Sequence, residues 1–279
     1  MNNNTDVTRT TIKLNEFDYK YMIKHHGHEN PSIAIMGNKT NNLLFTRNFM
    51  FNFKNVNLPL AMTCSSDYSS EYTNYIPKAF VHEYYDQQVI DRLIERQQIL
   101  MTKQKNKKTN NENTEKIPHA CILLDDSVFK KKPMGNYTYD NMFKKMLCEH
   151  RHYYTSVIFN MSEINYSEDD ISEFTLFDFN YIVFTTNDFE NRNNIYKCFF
   201  KVLNKIFKDE KEFYEIFNVL TSKNGYGMII SNHSNCAKEN SYSIEDNVFW
   251  YKTDVNIVNV SFMVGDNSYI ELSNMHYHK

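Results

Sequence analysis

The feature that most constrains this chain is a series of short apolar runs separated by longer stretches with helical spacing. The runs are "SIAIMG" (32–37), "LPLAMTC" (58–64), "KAFVHEY" (78–84), "HACILLDD" (119–126), "TSVIFNMS" (155–162), "FNYIVFTT" (179–186) and "YGMIISN" (226–232). Several carry apolar side chains at consecutive positions, so both faces of the strand must be covered. Residues 43–52, 87–103, 141–150, 191–207 and 211–220 space their apolar residues as helices do. Strands buried on both faces and alternating with helices predict a mostly parallel sheet between two helical layers, a three-layer α/β domain.

With 41% hydrophobic residues in 279, the chain can build one substantial core, and one domain carrying an insertion is expected. Basic and acidic residues nearly balance, 31 against 34, giving a net charge of −3. No global positive field points to nucleic acid, although a local basic surface would not be seen in that sum. Five cysteines, Cys64, Cys121, Cys148, Cys198 and Cys236, form no C-x-x-C pair and read as reduced, buried thiols. The opening "MNNNTDVTRTTIKLNEF" is a polar tail (1–16) without the apolar core of a signal peptide, and nowhere do eighteen apolar residues run together. The expectation is a protein neither secreted nor membrane-bound. Residues 102–116, "TKQKNKKTNNENTEK", read as a solvated or disordered loop. The extension 255–279, with turn residues at Gly265-Asp266-Asn267, reads as an edge hairpin.

Ser32 to Phe49, "SIAIMGNKTNNLLFTRNF", has the form of a strand, a glycine turn and a helix, the setting of a phosphate loop. A working G-x-x-x-x-G-K-[ST] loop places a glycine, a lysine and a hydroxyl at its sixth, seventh and eighth positions. Counted from Gly37 through Asn38, Lys39, Thr40 and Asn41, those positions hold Asn42, Leu43 and Leu44. Further on, "CILLDD" is an apolar strand ending in Asp125 and Asp126, an arrangement able to hold Mg²⁺ and orient water, or to cap a helix. Arg151 precedes a strand whose end, Asn160 to Ser162, can face a nucleotide. There is no H-E-x-x-H, no G-x-S-x-G and no Cys/His metal spacing.

Together with "IEDNVFWYKTD" (244–254), the order of these motifs resembles the virion DNA-packaging ATPases of nucleocytoplasmic large DNA viruses, of poxvirus and mimivirus type, in the FtsK/HerA branch of P-loop ATPases. The resemblance spans residues 17–254, and "VFWYK" (248–252) is its most specific element. It implies a RecA-like fold, ATP and Mg²⁺ as cofactors, a ring assembly and the driving of DNA into a capsid. It places the phosphate loop at Gly37 to Leu44, the acidic pair at Asp125 and Asp126, with Asp125 toward Mg²⁺, and a catalytic arginine at Arg151. A polar sensor expected at Ser162 and an arginine expected near Leu176 are both missing.

The resemblance is therefore to a phosphate loop that has lost its chemistry. Asn42 tolerates left-handed backbone better than most residues, but Leu43 cannot supply a cation to the β/γ-phosphates and Leu44 has no hydroxyl for Mg²⁺. The expected reading is a non-hydrolysing structural or regulatory paralogue, in a homo- or hetero-oligomeric ring with an active ATPase or on viral DNA or capsid proteins. The implied location is the host cytoplasm, in the viral factory, or the virion. Two alternatives stand beside it. One is an active ATPase in which Lys39 replaces the missing lysine, with Thr40 or Thr46 as the hydroxyl. The other is a nucleic-acid-binding module using the lysines at 103–108 and 130–132.

Overall fold

The computed structural model describes residues 13–19, 30–53, 61–64, 69–83, 86–110, 117, 119–125, 149–162, 179–186, 188, 192–232, 242–265 and 267–277. The strands are β1 (Asn15–Glu16), β2 (Ser32–Met36), β3 (Ala61–Cys64), β4 (Val81–His82), β5 (Ala120–Asp125), β6 (Thr155–Met161), β7 (Tyr181–Phe184), β8 (Tyr226–Ser231) and β9 (Val248–Lys252). The helices are α1 (Lys39–Phe53), α2 (Ser69–Thr73), α3 (Gln87–Thr109), α4 (Ile195–Cys198), α5 (Phe200–Ile206), α6 (Glu210–Thr221), α7 (Ile244–Asn247) and α8 (Asn267–Tyr277). The sheet order is β1-β9-β8-β7-β2-β6-β5-β3-β4. Strands β2 to β7 pair in parallel, as β1 does with β9, whereas β8 runs antiparallel to both β7 and β9.

Side-chain parity builds the three layers. Ile33 and Ile35 of β2, Cys121 and Leu123 of β5, Ile158 of β6, and Tyr181 and Val183 of β7 pack with Phe45, Phe49, Met50 and Phe53 of α1. Their neighbours one position along, such as Ala34, Ile122, Phe159 and Phe184, face the other way. There they meet Ile90 and Leu93 of α3 and the apolar residues of α4 to α6, including Val202, Leu203, Phe213 and Phe217. The central strands β2, β5, β6, β7 and β8 bury both faces, which is why the sequence shows unbroken apolar runs there rather than alternation. The α/β architecture expected from those runs is the one observed.

Several boundaries differ from the sequence reading. The run 102–116 is not all loop, because α3 continues to Thr109. Lysine and glutamine are good helix formers, and Lys107 and Lys108 in the last turn suit the helix dipole. Residues 111–116 lie outside the described residues, as does nearly all of the helix expected over 141–150. The helix expected over 191–207 is broken into α4 and α5 at Phe199. The polar tail contributes β1, paired with β9 at Asn15 and Phe249.

The C-terminal extension is not a hairpin. Asp254 caps a 3₁₀ turn over Val255–Asn259 by accepting the Asn256 N–H, and α8 closes the chain. β1 covers the β9 edge, and in the extension Ile257 and Val264 are buried, Val264 within the apolar cluster of the α1 face. The Arg47 guanidinium of α1 secures this strap, donating to the carbonyls of Ile257, Val258 and Val260 and lying over the rings of Tyr75 and Phe262. Among the described residues no helix is long and apolar enough to cross a membrane.

Candidate functional site

Strand parity also decides where the polar groups meet. Asp125 shares its side of β5 with Cys121 and Leu123, and Asn160 shares its side of β6 with Ile158, so both point toward α1. The register places Asp125 beside Asn160, and Asn160 beside Ile35 of β2. These positions lie at the carboxyl ends of parallel strands, where ligands of open α/β sheets bind.

Between β2 and α1 stand only Gly37 and Asn38. Gly37 has φ +151°, and a Cβ there would lie 2.0 Å from Thr185 Oγ1, so the position requires glycine. Asn38 then starts the helix. Its side-chain oxygen accepts the Asn41 N–H at 3.0 Å and its carbonyl accepts the Asn42 N–H at 3.0 Å. Lys39 to Leu44 are accordingly helical from the outset, and the amides of Asn41 and Asn42 are already paired. An open phosphate loop keeps such amides free to converge on an anion.

Asn42, at the position of the expected second glycine, is fully buried. Its amide donates to the carbonyls of Gly37 (3.1 Å) and Met161 (3.0 Å), and its oxygen accepts from Thr185 Oγ1 (2.6 Å). One side chain thus ties together the ends of β2, β6 and β7. Leu43 packs against the apolar cluster of the α1 face. Leu44 is half-buried, and Thr40 is exposed.

Lys39, ahead of the helical spacing that the sequence shows from residue 43, is the first residue of α1, its side chain 14% exposed, in an ion pair with the fully buried Asp125. The second Asp125 oxygen accepts the Tyr72 hydroxyl at 2.6 Å. That hydroxyl accepts from Asn160 Nδ2 at 3.1 Å. Burial, reinforced by the Asp125 charge, pushes the Tyr72 hydroxyl well above its ordinary pKa and keeps it a neutral donor. Among the described residues Asn160 Oδ1 has no hydrogen-bond partner. Thr46 turns its hydroxyl to the Asn42 carbonyl at 2.8 Å, within its own helix. The result is a closed polar cluster of Lys39, Asp125, Tyr72, Asn160 and Thr46.

Arg151 is exposed in the 3₁₀ turn before β6. It lies at the amino end of that strand, and Asn160 and Asp125 lie at the carboxyl ends of β6 and β5, about 15 Å or more away along the strand. The fold of one chain does not bring Arg151 to the cluster. Ser162 follows β6 and is half-buried. Asp126, residues 130–132 and Leu176 lie outside the described residues. The sequence anticipates Asn160, at a strand end able to face a nucleotide; it does not name Tyr72 as a site residue. Parity from the apolar β6 neighbours supports Asn160, but nothing local marks Tyr72.

The described residues do not fit Mg²⁺ with a triphosphate. Both Asp125 oxygens are engaged by protein donors, and leucines stand where a lysine and a hydroxyl are needed. Among the described residues no group of three or more His, Cys, Asp or Glu could hold a metal ion.

No protein-family model matches the chain. A curated relative, "Uncharacterized protein L437" of Acanthamoeba polyphaga mimivirus, is 22% identical over 243 residues, which cover 86% of this chain and 77% of that protein. Among solved structures, the chain is similar to the genome packaging NTPase B204 of Sulfolobus turreted icosahedral virus 2 in complex with AMPPCP. That likeness has 13% identity and a TM-score of 0.47, covering 81% of this chain and all of the other. The cytoplasmic domain of the type VII secretion ATPase EccC of Thermomonospora curvata gives 10% identity and a TM-score of 0.45, covering 89% of this chain and 28% of that one. These are similarities of overall course, distant in sequence, and the α/β fold rests on the chain's own sheet.

Proposed function

We propose that this protein is a P-loop-ATPase-like paralogue that does not hydrolyse ATP and serves viral genome packaging in a structural or regulatory role. The supporting observation is the Lys39–Asp125 ion pair at the start of a helix that leaves no phosphate loop. Transition-state stabilisation in phosphoryl transfer comes chiefly from positioned cations and backbone donors. Here the Lys39 ammonium neutralises the acid that would hold the metal, and the Asn41 and Asn42 amides are taken up by Asn38 at the start of the helix. The packaging context comes from the order of motifs across 17–254, and it implies a ring with an active ATPase, or contacts with viral DNA or capsid proteins, in the viral factory or the virion.

Calorimetric titration with ATP and Mg²⁺, alongside phosphate release on the same sample, tests the reading. Neither heat nor phosphate is expected. Magnesium-dependent turnover would overturn it.

The second reading, an active enzyme of unusual loop chemistry, is favoured by the placement of Lys39 at the carboxyl ends of the central strands. It requires turnover that Lys39→Ala abolishes. Turnover unchanged in that variant would remove Lys39 from any such role.

A further inference from the structure

Helix α3 changes character along its length. Its first half is anchored in the fold: Ile90 and Leu93 are buried, and the buried Gln97 donates to the carbonyls of Tyr153 and Tyr154. From Thr102 to Asn110 every residue but Gln104 is exposed. This end carries Lys103, Lys105, Lys107 and Lys108, and no acid occurs from Gln97 to Asn110. Among the described residues none of these four lysines makes an ion pair. On a chain whose net charge is −3, this is a local concentration of four cations, ahead of Glu112 and Glu115 in the sequence.

Helix stability accounts for only part of the pattern. The dipole favours cations in the last turn, where Lys107 and Lys108 stand, and its influence has faded by Lys103. At about 100° per residue, Lys103 and Lys107 lie on one side, Lys108 is turned well away from them, and Lys105 lies nearly opposite. A flat anionic membrane would meet only some of them, and would require an apolar face. None exists beyond Met101. Protein hot spots are enriched in Trp, Tyr and Arg, none of which occurs from Thr102 to Asn110. The remaining side chains of this end, Thr102, Gln104, Asn106, Thr109 and Asn110, are of the hydroxyl and amide kind that contact phosphate oxygens alongside lysine. The exposed end is about 12 Å long and a helix is about 10–12 Å across, dimensions that suit the major groove of a duplex, about 12 Å wide.

We propose that the exposed C-terminal end of α3 is a nucleic-acid-binding arm, gripping the phosphate backbone of a duplex without reading its sequence. The arm lies outside the Lys39–Asp125 cluster; it deepens the viral-DNA contact of the function proposed above and rests on that reading for its class of partner. Its test omits nucleotide, so either proposal can fail alone.

The experiment is fluorescence anisotropy of the full chain with a short labelled DNA duplex of mixed sequence, titrated at salt concentrations from about 50 to 200 mM. The wild type is expected to bind with a log–log salt slope of about −3 to −4, corresponding to four neutralised phosphates. Replacing all four residues (Lys103→Gln, Lys105→Gln, Lys107→Gln, Lys108→Gln) keeps good helix formers on an exposed surface, and is expected to weaken binding at least tenfold at the lowest salt and flatten the slope. The milder pair Lys107→Gln and Lys108→Gln should remove about half of the slope, and far-ultraviolet circular dichroism confirms that each variant is folded. Absence of wild-type binding at low salt, or unchanged binding by the fourfold variant, would overturn the proposal. So would equal affinity for polyglutamate or for anionic lipid vesicles.

Discussion

The ammonium of Lys39 lies against the carboxylate of Asp125 although 86 residues separate them in the chain. The two come from the start of α1, which follows β2, and from the end of β5, with β6 lying between β2 and β5. Breaking a buried pair by removing one partner leaves an uncompensated charge, which costs about 3 kcal/mol or more. Lys39→Met is therefore expected to lose about that much stability in urea unfolding. The double variant Lys39→Met with Asp125→Asn should lose clearly less than the sum of the two single changes, by about 1 kcal/mol or more. Strictly additive losses would mean that the pair does not form in solution.

Asn42 gives a second outcome that sequence logic alone would put the other way round. Asn42→Gly restores the glycine expected of a phosphate loop, yet it strips a donor from the carbonyls of Gly37 and Met161 and a partner from Thr185. Unsatisfied buried groups cost about 1–3 kcal/mol, and glycine inside a helix about 1 kcal/mol more. The variant should be less stable by about 2–4 kcal/mol and gain no ATP binding by calorimetry. A gain in nucleotide affinity would show that the asparagine alone keeps the loop closed.

Arg47 holds the C-terminal strap by three carbonyl hydrogen bonds and two ring contacts, while Asn48 exchanges bonds with the Asp254 backbone. Arg47→Met should loosen residues 255–264 and leave the sheet intact. Limited proteolysis followed by mass spectrometry is expected to show faster cleavage after residue 254, with amide exchange of β5 and β6 unchanged. Protection of the strap equal to wild type would assign its docking to Ile257 and Val264 alone.

Burial pushes the Cys121 thiol from its ordinary 9.0 up to about 12. A folded-state pKa above the unfolded one means that the native state resists losing this proton. The stabilisation is fully present below about pH 9 and is lost as pH rises from 9 toward 12. Tyr72, raised in the same direction by burial and by Asp125, adds to the alkaline loss. Urea midpoints measured from pH 8 upward should fall, and more shallowly in Cys121→Ala. The native thiol should resist alkylation at pH 8, and rapid labelling of Cys121 there would contradict its burial.

How far the sequence reaches can be judged at particular residues. The apolar runs were enough to anticipate β2, β5, β6, β7 and β8 and the layered α/β arrangement, because a strand covered on both faces has no polar positions to spare. Gly37 and Asp125 could be picked out because a turn after a strand and an acid at a strand end are local features. The helical state of 102–109 was misread because lysine-rich polar sequence suits an exposed helix as well as a loop, and only the anchoring of the first half of α3 decides between them. The extension after Asp254 was misread because its alternation fits an edge strand equally well, while the occupied β9 edge and the Arg47 contacts are tertiary facts.

By itself the sequence determined the fold class and the absence of the lysine and hydroxyl that a phosphate loop requires, since both follow from residue type and spacing along the chain. Only the tertiary structure decided what Lys39, Asn42, Tyr72 and Asn160 do. Their partners sit 86, 119, 53 and 88 residues away. Sheet order and side-chain parity select such partners, and neither is written in the local sequence.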